Sequence, residues 1–169
     1  DDLLKKSIKT AKHPFHQCVI ASLENGVIQQ RTVVLRRWVL KRRSLIFHTD
    51  YRSPKVQQIK KNPDCSILFY SKPDKLQLRF KCFCHIHHND RLTKYIYSQT
   101  TSSQRKCYET PFTPSSKLNT NSSEFTSPEE NFSVCVCNFN ELEILFLNHQ
   151  KHIRILYEWD KSGHLKTSN

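Results

Sequence analysis

Only two glycines, Gly26 and Gly163, occur in the 169 residues of this chain. Glycine lets a backbone wrap closely around a phosphate or turn sharply beneath a nucleophile. With so few, there is no Gly-rich phosphate loop, no dinucleotide fingerprint and no Gly-x-Ser-x-Gly elbow. A His-Glu-x-x-His zinc helix is missing as well. Rossmann enzymes, P-loop NTPases, elbow-type serine hydrolases and zincins are therefore disfavoured. If the protein holds a phosphate, side chains must do most of the holding.

The length suits one domain spanning residues 1–169, large enough to bury a core without staples. The formal net charge of +12 calls for an anionic partner: nucleic acid, a membrane surface or a phosphorylated small molecule. A merely solvated basic surface is the plainer alternative. Seven cysteines, several in Cys-x-Cys pairs, do not form a secreted disulfide framework. Reduced thiols in a cytoplasmic protein are the simpler reading. No apolar run approaches a membrane span, and residues 1–13 lack an apolar signal core.

Hydrophobic periodicity predicts an amphipathic helix over residues 2–12, with Leu3, Leu4 and Ile8 on one side. Strands are expected at 16–24 and 27–37, joined by Asn25-Gly26, a strong hairpin signal. A third strand covers 45–49. Ser53 as N-cap and Pro54 at the first position start a helix that stops before Asn62-Pro63. Strands at 65–70 and 76–87 follow, then a helix over 90–108 with Leu92, Tyr95 and Ile96 as its apolar stripe. Residues 109–130, rich in Ser, Thr, Pro and Asn, form a flexible loop. Strands at 132–137, 142–147 and 152–159 close the sheet. The expected class is mainly β: an antiparallel barrel of about eight strands with flanking helices.

Two clusters carry chemistry. Arg31 and Arg36 lie five apart on one strand, so they face opposite ways unless a bulge intervenes. Lys55, in the first turn of its helix beside Ser53, adds a cation next to free backbone amides. That makes a plausible phosphate cradle, against the alternative of a surface ion-pair cluster. The second cluster joins Cys82, Cys84, His85, His87 and His88 with Cys135 and Cys137. Cys-x-Cys on a strand points both thiols to one face, so four sulfurs would meet if the strands are neighbours. Structural zinc prefers Cys-x-x-Cys on a turn, and cysteine is a routine core residue, so no metal is assigned.

The run Arg31-Thr32-Val33-Val34-Leu35-Arg36, then Phe47-His48-Thr49-Asp50, Arg52-Ser53-Pro54-Lys55, Asn62-Pro63 and Gln77, resembles the pyridoxamine 5'-phosphate oxidase family. The stretch His152-Ile153-Arg154-Ile155-Leu156-Tyr157 is similar to its last barrel strand. The likeness covers residues 13–90 well and 131–160 more loosely. It is strongest to an FMN-binding branch typified by a cyanobacterial protein of unassigned reaction. It implies an FMN-binding split barrel, working as a homodimer with FMN at the subunit interface.

By this resemblance, Arg31 contacts the phosphate or ribityl chain. Residues Thr32, Val33, Val34 and Leu35 line the ring, His48 and Thr49 the ribityl region, and Ser53 and Lys55 the phosphate. Gln77 bonds the flavin ring from the other subunit, and Arg154 sits near its electronegative edge, where a cation favours the reduced form. Arg36, Tyr95 and His152 match substrate-binding positions. Departures are visible too. Pro54 replaces the family's arginine before the helix lysine, with Arg52 as the expected substitute. Gln99 and Gln150 stand where substrate arginines belong, and a tryptophan near the flavin is missing around Ile144 and Leu145.

The resemblance implies an FMN-dependent oxidoreductase taking hydride from a small substrate, such as a phosphorylated amine. Two other readings compete. One is a non-enzymatic basic β-barrel binding single-stranded nucleic acid, but the basic residues form no single stripe interleaved with aromatics. The other is a flavin or haem carrier without turnover.

Overall fold

The computed structural model describes residues 1–110, 112, 114, 127–147, 151–160 and 162–166. The middle of the loop expected over 109–130 lies outside these residues.

Chain order explains the sheet. Strand β1 (Gln17–Glu24) turns into β2 (Val27–Val39) through Asn25 and Gly26, whose φ values of 52° and 81° are the two positive angles a tight hairpin of matching twist requires. Strand β3 (Ser44–Asp50) follows a short 3-10 turn at Leu40–Arg42, so the Lys41-Arg42-Arg43 run forms a basic strand connection. Strands β4 (Asp64–Ser71) and β5 (Leu76–His87) form the next hairpin. In β4 Cys65, Ile67, Phe69 and Ser71 are buried while Asp64, Ser66, Leu68 and Tyr70 are exposed, the period of two of a half-buried strand. Strand β6 (Phe132–Phe146) pairs with β5 and also with β3. The order β3-β2-β1-β4-β5-β6 thus closes on itself as a six-stranded antiparallel barrel, and β7 (Ile153–Trp159) and β8 (Leu165–Lys166) extend the sheet beyond β6.

The sheet has the expected eight strands, and six of them close the barrel. One expectation about strands is corrected. Residues 132–137 and 142–147 are one strand of 15 residues. Lys81 pairs with Glu141 and Cys82 with Phe139, leaving Asn140 as an extra residue in a bulge. The bulge bends the strand, so its first half serves β3 and its second half β7. The polar Asn138-Phe139-Asn140 stretch is this bend rather than a turn.

The helices also shift. Helix α1 (Asp2–Lys9) is shorter than expected. Helix α2 (Pro54–Lys61) matches its signals, burying Val56, Gln58 and Ile59. The helix expected over 90–108 breaks into α3 (Arg91–Ser98), α4 (Ser102–Arg105) and a 3-10 turn at Lys106–Tyr108. The break is a capping box: Thr101 Oγ1 accepts from the Gln104 amide at 3.3 Å, and Gln104 Oε1 accepts from the Thr101 amide at 3.2 Å. Tyr95 lies outside the apolar stripe of α3, at 58% exposure, whereas Ile96 is buried. A short helix α5 (Pro128–Asn131) takes up the end of the expected loop.

Two cores result. Inside the barrel, rings meet edge to face in a chain: Phe15–Phe69 at 5.7 Å, Phe69–Phe80 at 5.9 Å and Phe80–Phe139 at 5.0 Å between centroids. Trp38 stacks flat on Phe139. Outside the barrel, Ile46, Phe132 and Val134 pack with Ile96 of α3 and with Tyr108.

Candidate flavin-phosphate site

Strands β2 and β3 pair only from Leu35/Phe47 to Val39/Ser44, with a register shift between Leu35 and Arg37. Arg36 is therefore the bulge that decides which way the arginines of this strand point. Beyond Leu35 the two strands no longer pair, and α2, packed on β1 and β5, places Lys55 and Ile59 near Val33. A small cavity of about 10 Å³ sits there, lined by Val33, His48, Thr49, Lys55 and Cys135 among others.

The side chains around this seam form a connected polar set. Lys55 Nζ donates to Thr49 Oγ1 at 2.9 Å and to Ser53 Oγ at 2.7 Å. Ser53 lies at the N-cap, yet its hydroxyl does not cap the helix. Arg31 reaches in from β2, donating from Nη1 to Ser22 Oγ at 2.6 Å and from Nη2 to Gln58 Oε1. The Ser22 hydroxyl in turn donates to Gln58 Oε1 at 3.0 Å.

Burial lowers the Lys55 ammonium from its ordinary range, and the Arg31 charge lowers it further. Burial likewise lowers Arg31. These are two cations held close with neutral hydrogen-bond acceptors. An arriving dianion would relieve their mutual repulsion.

His48 is different. Burial, aided by the charges of Arg36 and Arg37, pushes it down to about 3, so it is neutral at ordinary pH. Its ring meets Phe132 edge on at 5.0 Å, and its Nε2 is buried without a hydrogen-bond partner among the described residues.

The residues expected at a flavin site divide by face. Arg31, Val33, His48, Thr49, Ser53 and Lys55 gather at the seam, and Leu35 is sealed in the core. Thr32 and Val34 point outward with β1, where Thr32 pairs with Val19 and Val34 with Gln17. Gln77 lies between Tyr70 and Leu145, and Leu145 pairs with Arg154, so these belong to the outer surface too. Arg154 is exposed, 3.5 Å from Glu143, which also meets Arg79. Arg37, rather than Arg36, lies over the ring of Tyr95, at 5.9 Å. His152 is exposed just ahead of β7. Arg105 lies over Tyr97, at 4.7 Å, and Tyr108 is buried against Phe132.

Arg52 does not stand in for the missing arginine by geometry alone. Its guanidinium donates to both carboxylate oxygens of buried Asp50, at 3.1 and 2.7 Å, and to the Thr110 carbonyl at 3.0 Å. It fastens the end of β3 to the segment after Tyr108. Sequence reasoning missed Ser22 and Gln58, which position Arg31. Their signal was present: Gln58 is polar yet sits between Val56 and Ile59 on the buried side of α2.

A closed six-stranded barrel, parted beside two cations at a helix N-terminus, defines a protein of the flavin-binding split-barrel class. The family model "Pyridoxamine 5'-phosphate oxidase, FMN-binding domain" matches residues 1–88, and the chain belongs to that family. Its cofactor is FMN, and the seam fits such a group, since its donors are those a phosphate requires. No curated protein matches the chain.

Among solved structures, a pyridoxamine 5'-phosphate oxidase-related, FMN-binding protein from Nostoc punctiforme is similar with a TM-score of 0.80 at 19% identity, covering 98% of this chain and 91% of that one. PhzG from Burkholderia lata, in complex with tetrahydrophenazine-1-carboxylic acid, gives 0.74 at 18%, covering 99% and 89%. General Stress Protein 26 from Bacillus anthracis gives 0.56 at 16%, covering 90% and 98%. At these identities the likeness shows the fold.

Proposed function

We propose that this protein is an FMN-dependent oxidoreductase that works as a homodimer, with FMN at the subunit interface. The observation that carries the reading is the closeness of Arg31 and Lys55 at the seam, two cations whose hydrogen-bond acceptors among the described residues are neutral. Lys55, Ser53 and Arg31 hold the phosphate; Thr49 and His48 border the ribityl chain, and residues 32–35 border the ring. When bound, FMN supplies the two-electron chemistry, and the protein supplies position and field.

The outer sheet face supports the dimer. Leu68, Tyr70 and Leu156 are exposed there, in register with Thr32, Gln77 and Arg154. A face on which these apolar side chains stand beside Gln77 and the Arg79–Glu143–Arg154 ion pairs suits a surface that completes the site of a second copy. Gln77 bonds the ring and Arg154 stabilises negative charge on it. Arg36, Tyr95 and His152 contact a small substrate. Gln99 and Gln150, in place of arginines, favour a substrate other than pyridoxamine 5'-phosphate.

The neighbour PhzG, crystallised with a tricyclic carboxylic acid, shows that the fold admits larger ligands in that protein. Among the described residues no helix is long and apolar enough to cross a membrane, and we place the protein in the cytoplasm.

The test is the visible spectrum of the purified protein with added FMN, followed through gel filtration. Flavin bands that elute with a species of dimer mass support the reading. Reduction of that bound flavin by a candidate amine under anaerobic conditions supports the oxidoreductase. A protein that neither retains FMN nor quenches its fluorescence overturns it.

A further inference from the structure

Six cysteines are buried in the core of the barrel, and five of them meet on β4, β5 and β6. The register fixes their meeting. Cys84 of β5 pairs directly with Cys137 of β6, and Cys135, two residues earlier on β6, points to the same face. Cys65 of β4 pairs with Cys82 of β5 one step away. The sulfurs of Cys84, Cys135 and Cys137 all lie within 4.8 Å of one another. The Cys84–Cys137 contact is 2.7 Å and the Cys135–Cys137 contact 3.5 Å. All three residues are buried.

We propose that Cys84, Cys135 and Cys137 form a site for a single thiophilic d¹⁰ cation, Cu(I), bound in trigonal tris-thiolate coordination. Soft thiolate sets select such ions over harder ones. With metal–sulfur bonds of about 2.3 Å, three sulfurs around a trigonal ion stand about 4 Å apart. The two closest edges of the observed triangle, 2.7 and 3.5 Å, are shorter than that spacing, so the sulfurs must spread to take the ion. Cys65 also touches Cys84, but only Cys84, Cys135 and Cys137 have all their sulfurs within 4.8 Å of one another, which favours three ligands over four.

Two features serve the charge and the route. Binding converts three thiols and one Cu(I) into a complex of charge −2, releasing three protons to solvent. Cys135 also lines the small cavity of the seam, together with Lys55, His48 and Thr49. The Lys55 ammonium is the counter-charge, and the parted strands β2 and β3 give the ion a way to the one cysteine that faces the cavity. A core role alone would not require three thiols on one spot beside a half-buried cation.

The experiment is an anaerobic titration of the reduced protein with Cu(I) against a chromophoric Cu(I) chelator, without FMN. One equivalent withdrawn from the chelator is expected, with thiolate-to-copper charge-transfer absorption in the near ultraviolet. Cys135→Ala and Cys137→Ser should each weaken the uptake at least tenfold, while Cys107→Ser, at the exposed cysteine, leaves it unchanged.

X-ray absorption on the copper-loaded wild type needs no variant and should report three sulfur neighbours. Failure to compete with the chelator overturns the proposal. So does uptake that survives Cys135→Ala, a shell containing nitrogen or only two sulfurs, or a tetrahedral Co(II) spectrum that depends on Cys65. Purified protein two hydrogens lighter, with Cys84 and Cys137 joined in a disulfide, also overturns it.

Discussion

Arg31 crosses the seam between β2 and α2 to hydrogen-bond Gln58, while Lys55 stands one helical turn away with its own neutral partners. Gln58 thus sets the direction of a cation whose other acceptors are a hydroxyl and the Gln29 carbonyl. A charge-assisted hydrogen bond contributes roughly 1.5–3 kcal/mol, or about tenfold to 150-fold in affinity. Arg31→Ala and Lys55→Ala should each weaken FMN binding within that range, with the far-ultraviolet spectrum unchanged. Fluorescence quenching of FMN measures it. An affinity within a factor of two of wild type for both variants would remove the seam from the phosphate site.

Gln58→Leu separates positioning from contact. The variant keeps both cations but removes the acceptor shared by Arg31 and the Ser22 hydroxyl. A buried donor left unsatisfied costs about 1–3 kcal/mol. Unfolding in urea should therefore show a loss of that size, together with weaker FMN binding. Gln58→Glu should restore or raise the stability by pairing with Arg31, but it should weaken FMN further by bringing negative charge beside the phosphate. If Gln58→Glu binds FMN as tightly as wild type, Arg31 does not serve the phosphate.

His48 gives a pH dependence with a definite sign. Its native value of about 3 lies below the ordinary 6.5. Between these limits the unfolded chain binds a proton that the native protein does not, so stability rises with pH through this window and is flat above it. The slope is at most about 1.4 kcal/mol per pH unit. Acidification from pH 6.5 toward 4 should destabilise the protein, and His48→Gln should flatten the profile over that interval. Chemical denaturation at a series of pH values checks it; parallel profiles for wild type and variant would place the acid sensitivity elsewhere.

The parts legible in the sequence were those fixed by local chemistry. Asn25-Gly26, Ser53-Pro54 and Asn62-Pro63 each demand a backbone that only one local structure provides, and each appears where the residues put it. The strand alternation of β4 and the shared face of the Cys-x-Cys pairs were equally readable. What the pattern hid depends on long-range pairing. The bulge at Asn140 looks like a turn because asparagines favour both, and only partners β3, β5 and β7 decide between them. The bulge at Arg36 decides the direction of an arginine by the same means. Arg52 was readable as a cation but not as Asp50's partner, since a bidentate contact two residues back is a matter of side-chain geometry. The division of the expected flavin residues between the seam and the outer sheet face follows from register alone.

Phe132 joins the barrel to its helical layer. Its ring is fully buried and meets His48 at 5.0 Å, Tyr108 at 5.1 Å and Tyr97 at 5.3 Å. Removing a buried phenylalanine costs about 3–5 kcal/mol, from lost transfer energy and the cavity left behind. Phe132→Ala should lose that much in urea unfolding, and Phe132→Leu less. Phe83, on β5 and 57% exposed, is the control, and Phe83→Ala should stay within about 0.5 kcal/mol. Because Phe132 also walls in His48, opening this cavity admits water to the imidazole. The His48 value should then rise toward 6.5, and nuclear magnetic resonance titration of its ring would follow it. A Phe132→Ala protein that loses stability while His48 stays neutral down to the same low pH would mean that the burial of His48 comes from the seam itself and not from the helical layer.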